Sequence, residues 1–305
     1  MVKKIDHKVK IMSKEDKKQH LLNDIALLNK KMGKEVVRIG WTKELTRIPF
    51  KSKQLNKITG GGIPCGRFSV IWGSKGSAKT SECYNLVAKA QEMGKICLWM
   101  DLERSFDPIW ASAMGVDVKE LLMAPICETA EDAMNIIISL TKSKSIDMIV
   151  VDSIQGMSPE GEQRTKKGVE KTMEDDTMAL LPKKLSEFFR KSAAGVSVSD
   201  CTVIMIGQTR SQLGTFVTLD KLSGGNALEH WSSMTLHFRR GQRANAPAIS
   251  KKTGNQVKGN NPDAEICGFE LVVKVEKSKV GPDEGKEAHL DFKFGEGIID
   301  LAETS

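Results

Sequence analysis

Five apolar runs recur between residues 67 and 207, each about as long as one strand: "RFSVIW" (67–72), "ICLWMD" (96–101), "LLMAPI" (121–126), "IDMIVVD" (146–152) and "CTVIMIG" (201–207). They lack the in–out alternation of a half-exposed strand, and continuous apolar runs of this length suit strands covered on both faces. Helical segments separate them: one opening at Lys79, a short one from Pro108, one near 129–142 and a long one near 176–193. Strands that alternate with helices return parallel, so the pattern predicts an α/β fold with a mostly parallel central sheet. After Asn226 the texture becomes strand-rich, with "SSMTLHFRR", "FELVVKVEK" and "AHLDFKF", which predict antiparallel strands added at one side. Between the first two lies residues 241–265, "GQRANAPAISKKTGNQVKGNNPDAE", whose Gly, Asn, Pro and Lys content predicts a mobile excursion.

Ahead of this alternation stands an isolated helical pattern. Ser13 can cap it, Asp16 lies where a capping box needs an acid, and Leu21, Ile25, Leu28 and Met32 form one stripe ending at Gly33. Two destinations for the stripe stand open, its own domain or a neighbouring subunit. The expected division is residues 1–48, an arm and docking helix, and residues 49–305, the core.

Charge sharpens that division. Of the net +7, residues 1–56 carry +9, with 15 Lys/Arg against 6 Asp/Glu, and the remainder carries −2, with 31 against 33. A basic arm on a near-neutral body suits a polyanion, and a solvated tail accounts for the charge equally well. The six cysteines are scattered without a C-x-x-C pair, which points to small buried side chains in a reducing cytoplasm and away from disulfides or zinc. No stretch reaches the ~18–20 apolar residues of a membrane span.

The candidate chemistry begins at "GSKGSAKT", residues 73–80, which follows a buried strand and opens a helix. The pattern is that of a phosphate-binding loop, except that Ala78 stands where a second glycine belongs. Backbone N–H groups of Gly73, Ser74, Lys75, Gly76, Ser77, Ala78, Lys79, Thr80 and Ser81 would surround the phosphates at a helix N-terminus. Lys79 would reach the β- and γ-phosphates, and the Thr80 hydroxyl would hold Mg²⁺. A Gly/Ser-rich turn with a surface lysine is the plain alternative. The strand "IDMIVVDS" ends in Asp152, placing a carboxylate near the same cation. "WMDLERSFDPIW" ends its own strand on the same edge of a parallel sheet, bringing Glu103 beside the phosphates, where a carboxylate can orient and deprotonate water. Trp110 could stack on adenine and Asp107 accept from its amino group; a core tryptophan and a helix cap are the alternatives.

Taken together, "KKMGKEVVRIG", "TGGGIPCGR", "DLERSFDPIWASAMGVD", "IVVDSI", "IGQTRSQLG", "SGGNALEHWSSMTLHFRR" and "VKVEKSKV…FKFGEGI" resemble, in order and near spacing, the RecA family of recombinases over about residues 20–300. The resemblance implies a RecA-type ATPase core using ATP and Mg²⁺, which polymerises on single-stranded DNA and exchanges strands with a homologous duplex. Glu103 then matches the catalytic glutamate and Gln208 the glutamine that senses the γ-phosphate. Residues 209–225 resemble the second DNA-binding loop, with Arg210 on phosphate, Phe216 and Val217 wedged against bases, and Gly224, Gly225 and Asn226 at its end. The first such loop falls in residues 157–177, where Arg164, Lys166, Lys167 and Lys171 supply charge, although an ordinary charged loop reads the same. Lys277 and Lys279 resemble the lysine pair that reaches the neighbour's γ-phosphate, which would make ATP the bridge of the filament and give the Leu21–Met32 stripe a neighbour to dock on.

The sequence departs from the bacterial pattern at Ala78, in the first DNA loop, in the longer 241–265 excursion, and in ending soon after "FGEGIID". These departures are read as a phage-type or divergent recombinase in a bacterial or phage-infected cytoplasm, with single-strand-binding or loader proteins as possible partners. Two other readings stay open: a ring-forming helicase of the same fold, and an accessory protein that binds nucleotide without hydrolysing it.

Overall fold

The computed structural model describes residues 12–300 apart from 34, 38–39, 41–43, 125–126, 165–167, 169, 172–179, 212–219, 223–225 and 282. The chain divides into two compact units, Met1–Leu45 and Thr46–Ser305.

The first unit is built on α1 (Lys14–Met32). Ser13 caps it, its Oγ accepting the Asp16 N–H at 3.1 Å, and Gly33 closes it in the left-handed region that lets a glycine turn the chain. Asn29 then holds the returning chain: its Oδ1 accepts the N–H groups of Val36 and Val37, and its Nδ2 donates to the Val37 carbonyl. No residue of α1 is buried, and Leu21 and Met32 are 54% and 55% exposed.

The second unit starts with β1 (Arg47–Ile48), α2 (Lys53–Thr59) and β2 (Ile63–Pro64), β1 and β2 forming a two-stranded ribbon. The main succession follows as β3 (Phe68–Gly73), α3 (Lys79–Glu92), β4 (Cys97–Asp101), α4 (Pro108–Ala113), β5 (Leu122–Ala124), α5 (Ala130–Ser143), β6 (Met148–Asp152), α6 (Glu160–Gln163), α7 (Leu181–Ser199), β7 (Thr202–Ser211), β8 (Asp220–Leu222), α8 (Asn226–Trp231) and β9 (Met234–Arg240). It closes with β10 (Pro247–Ser250), β11 (Gln256–Lys258), β12 (Ala264–Ile266), β13 (Gly268–Ser278), β14 (Glu287–Lys293) and β15 (Gly297–Asp300). The large sheet runs β15-β14-β13-β9-β3-β7-β6-β4-β5, with β8 against β7. The expected mixed α/β architecture, a mostly parallel sheet with antiparallel additions, is the one observed.

Two apolar layers cover the sheet. Ile71 of β3 turns to a core that includes Leu55, Tyr84, Leu86 and Trp99, from α2, α3 and β4. Phe68, Val70 and Trp72 turn the other way, to Ile137, Leu185, Phe189 and Leu228 of α5, α7 and α8. Burial on both faces is why the strand carries no polar alternation.

Three details differ from the sequence reading. Strand β9 joins parallel to β3, because α8 carries the chain across before it enters the sheet, and along the order of the large sheet the pairing turns antiparallel between β9 and β13. The long helix α7 runs Leu181–Ser199, later than the 176–193 pattern, and residues 176–179 lie outside the described ones. The 241–265 excursion contains a small antiparallel sheet of order β11-β10-β12, with Ala248 paired to Val257 and to Ile266. Its polar, Gly-rich composition concealed three short strands whose apolar positions are sparse. None of the six cysteines is in a disulfide, four of them are buried, and among the described residues no helix is long and apolar enough to cross a membrane.

Candidate nucleotide site and DNA-facing loops

In a parallel sheet every strand delivers its C-terminal residue to one edge, and here that edge assembles the candidate chemistry from four strands. Strand β3 ends at Gly73, whose φ is +153° and where an added Cβ would lie 1.9 Å from the Phe238 carbonyl oxygen. Only glycine fits so close to β9. The loop then turns on itself, Ser77 Oγ donating to the Ser74 carbonyl at 2.8 Å. Ala78, at the N-cap of α3, has φ +64° and ψ +16°, the left-handed conformation in which a methyl is strained. Its side chain packs against the core that includes Tyr84 and Trp99 while lining a cavity of about 250 Å³ at the loop's mouth.

Lys79 lies inside this loop. Its Nζ donates to the carbonyls of Gly73 at 3.1 Å and Ser74 at 2.7 Å, and burial lowers its pKa while Asp152 and Glu103 oppose that shift. Thr80 Oγ1 donates to Asp152 Oδ2 at 3.1 Å across the gap between α3 and β6. Asp152 is 3% exposed, and burial, helped by the nearby Glu103 charge, pushes its pKa up to about 7. A hydroxyl and a buried carboxylate are hard oxygen donors of the kind Mg²⁺ takes, and Mg²⁺ needs only one or two such groups when phosphates and water complete its shell. Among the described residues no cluster of three or more His, Cys, Asp or Glu could hold a metal ion.

Glu103 follows β4, its N–H and that of Leu102 donating to the Asp152 carbonyl at 3.1 and 2.7 Å. Its Oε1 accepts from Gln208 Nε2 of β7 at 2.8 Å and from Ser153 Oγ. Trp110 Nε1 donates to Ser81 Oγ at 3.0 Å, bringing the indole beside the first turn of α3. Asp107 is the N-cap of α4: its Oδ1 accepts from the N–H groups of Ile109 and Trp110, so one carboxylate oxygen is committed to the helix.

The structure adds residues that sequence reasoning left out. Arg240, at the end of β9, donates from Nε to the Gly76 carbonyl at 2.9 Å and lies 4.3 Å over the Phe269 ring. Phe269 and Phe292, paired across β13 and β14 and stacked at 4.8 Å, line the mouth of the loop. The paired arginines ending "HFRR" were the available signal; the two phenylalanines read as ordinary strand residues. Ser153 was concealed in the same way, as the residue following Asp152.

Lys277 and Lys279 sit elsewhere in the protomer. Both point at the C-terminal turn of α8, where Lys277 Nζ donates to the Glu229 and His230 carbonyls and Lys279 Nζ to the His230 carbonyl at 2.5 Å. Burial lowers the Lys277 pKa, and the adjacent Lys279 adds to the shift.

Of the DNA-facing candidates, Arg164 pairs with Glu170 in an isolated antiparallel backbone β-bridge, and Lys171 Nζ donates to the Gly161 carbonyl at 2.9 Å. Lys166, Lys167, Phe216, Val217, Gly224 and Gly225 lie outside the described residues. The second loop has a defined stem: Thr209, Arg210 and Ser211 pair with Leu222, Lys221 and Asp220. Asn226 opens α8 and is exposed. Gln208 therefore touches Glu103 and leads directly into this stem.

Comparison with known proteins follows the same outline. Residues 19–299 match the family described as RecA N-terminal domain. The chain is 34% identical over 295 residues to a protein named Protein RecA from Colwellia psychrerythraea, covering 95% of this chain and 79% of that one. It is 33% identical over 300 residues to Protein RecA of Mannheimia haemolytica, covering 97% and 75%, and 32% identical over 294 residues to that of Haemophilus ducreyi, covering 95% and 73%.

Proposed function

This chain belongs to the RecA family, and we propose that it works as an ATP-dependent homologous recombinase, polymerising on single-stranded DNA and exchanging strands with a homologous duplex. The observation that carries this reading is a pair of side-chain hydrogen bonds, Thr80 to Asp152 and Gln208 to Glu103, joined by the Glu103 N–H donating to the Asp152 carbonyl, which links the phosphate loop to the β7/β8 stem read as facing DNA.

Within that path each residue has a chemical task. Lys79 exchanges its two carbonyl partners in the loop for phosphate oxygens, which are better partners for an ammonium group. Thr80 and Asp152 would hold Mg²⁺, which when bound would supply positive charge to offset that of the phosphates. Glu103 orients the attacking water and takes its proton. Gln208 shares Glu103's carboxylate, so a change of its partner at the phosphate is felt at the first residue of the DNA stem. Trp110 offers its ring as a wall for the base. Arg164, Lys171, Arg210 and Asn226, with Lys166, Lys167, Phe216, Val217, Gly224 and Gly225, supply the DNA contacts.

Lys277 and Lys279 act between protomers. Leaving the α8 carbonyls for the γ-phosphate of the next copy makes assembly depend on nucleotide. The exposed stripe of α1 docks on that same neighbour, residues 1–48 serving as arm and docking helix for the 49–305 core. The activity belongs in a bacterial or phage-infected cytoplasm. A strand-exchange assay with homologous and heterologous duplexes, with and without ATP, tests the reading. ATP-dependent product with the homologous duplex alone is expected, and equal product with the heterologous duplex would replace recombination by general annealing.

A further inference from the structure

Strand β13 changes phase just before the lysine pair. Val275 pairs with Leu236 of β9 and Lys277 with Thr235, which leaves Glu276 as the extra residue of a β-bulge. With unbroken alternation Lys277 would follow Leu271, Val273 and Val275 onto the face that packs into the core under α3. The bulge turns Lys277 and Lys279 to the opposite face, the one that meets α8.

The bulge residue is itself held. Glu276 Oε2 accepts the Trp72 Nε1–H at 2.6 Å, and its Oε1 lies 3.6 Å from His237 Nδ1. The His237 ring stacks on the Trp72 indole with centroids 4.1 Å apart and planes 10° from parallel. Trp72 is 3% exposed and immediately precedes Gly73, the first residue of the phosphate loop. Three adjacent strands thus meet in one cluster: β3 feeding the loop, β9 ending in Arg240, and β13 carrying the lysines. A cavity of about 380 Å³ opens beside it, lined in part by Glu229, Thr235 and Lys277, which gives the lysine room to leave the α8 carbonyls on this face.

We infer that Trp72, His237 and Glu276 are positioning residues that pin the bulge and thereby aim the Lys277–Lys279 pair. The inference rests on the reading of the lysines as the contact between protomers. Removing the carboxylate orphans a buried indole N–H and frees the bulge to slip, whereas an amide at the same place still accepts from the indole.

The test uses the full chain, a non-hydrolysable ATP analogue and a single-stranded oligonucleotide, with assembly followed by light scattering and nucleotide affinity measured below the assembly concentration. Trp72→Phe and Glu276→Ala should raise the protein concentration for half-assembly about tenfold while leaving protomer affinity for the analogue within about twofold. Glu276→Gln should restore most of the assembly. Wild-type assembly in both Trp72→Phe and Glu276→Ala, alongside loss in a Lys277→Ala/Lys279→Ala variant, overturns the positioning role alone. Wild-type assembly in the double-lysine variant overturns the reading on which it rests.

Discussion

Gln208 Nε2 reaches Glu103 Oε1 across 2.8 Å, joining β7 to the segment that follows β4, residues 105 positions apart in the chain. On the proposed reading one member is the base and the other leads into the stem of the second DNA-binding loop, so hydrolysis and DNA contact would share this hydrogen bond. Replacing Glu103 by Gln should lower phosphate release by about 10²–10⁴-fold, the usual contribution of a general base, with nucleotide affinity retained. Gln208→Ala should instead remove the stimulation by single-stranded DNA while basal release persists. Phosphate-release assays with and without oligonucleotide distinguish the two, and equal DNA stimulation in Gln208→Ala would detach the stem from the site.

At the loop itself, Lys79→Ala should abolish ATP binding, since it removes the ammonium group that sits inside the loop and would pair with phosphate oxygens. Ala78→Gly should preserve or tighten binding and raise the melting temperature, because the left-handed φ of +64° costs a non-glycine residue about 1 kcal/mol. Calorimetric titration and thermal melts check both. Unchanged affinity in Lys79→Ala would take the loop out of the mechanism.

The interior of α3 supplies a pH dependence of folding. Glu82 is 1% exposed, its Oε2 accepts from Asn85 at 3.1 Å, and its Oε1 has no hydrogen-bond partner among the described residues. Burial pushes its pKa well above the usual carboxylate range, up to about 8. A raised folded-state pKa means that the stability it contributes is full below the unfolded value and is lost as pH rises through the folded one. Stability should therefore decline between about pH 4.5 and pH 8, by at most about 1.4 kcal/mol per pH unit from this group. Glu82→Gln should flatten that decline in urea melts taken across the window. A slope unaltered by the substitution would assign the dependence to other groups.

The arm is testable through salt. Deleting residues 1–12, which carry four lysines and one aspartate, while keeping Ser13 as the helix cap should weaken duplex binding. The slope of log affinity against log salt should fall by up to about 3, near 0.9 for each phosphate no longer neutralised. Identical slopes for both proteins would leave the arm a solvated tail.

Much of this protein was legible in the chain alone. Four buried strands, β3, β4, β6 and β7, announced themselves as continuous apolar runs because the sheet is covered on both faces there, whereas the fifth run formed β5, an edge strand with Leu122 and Met123 exposed. The loop, Asp152 and Glu103 could be assigned to one edge because parallel strands all end on the same side. Composition misled in residues 241–265, where three short strands carry too few apolar positions to register as periodic, and in β9, whose direction depends on the crossover through α8. What only the tertiary structure decided were side-chain meetings between distant strands: Arg240 at Gly76, Phe269 with Phe292, and Glu276 with Trp72. A local pattern records which face a residue takes within its own element. Which partner it meets depends on the order and register of strands far apart in the chain, and one bulge at Glu276 was enough to reverse the face on which the lysine pair emerges.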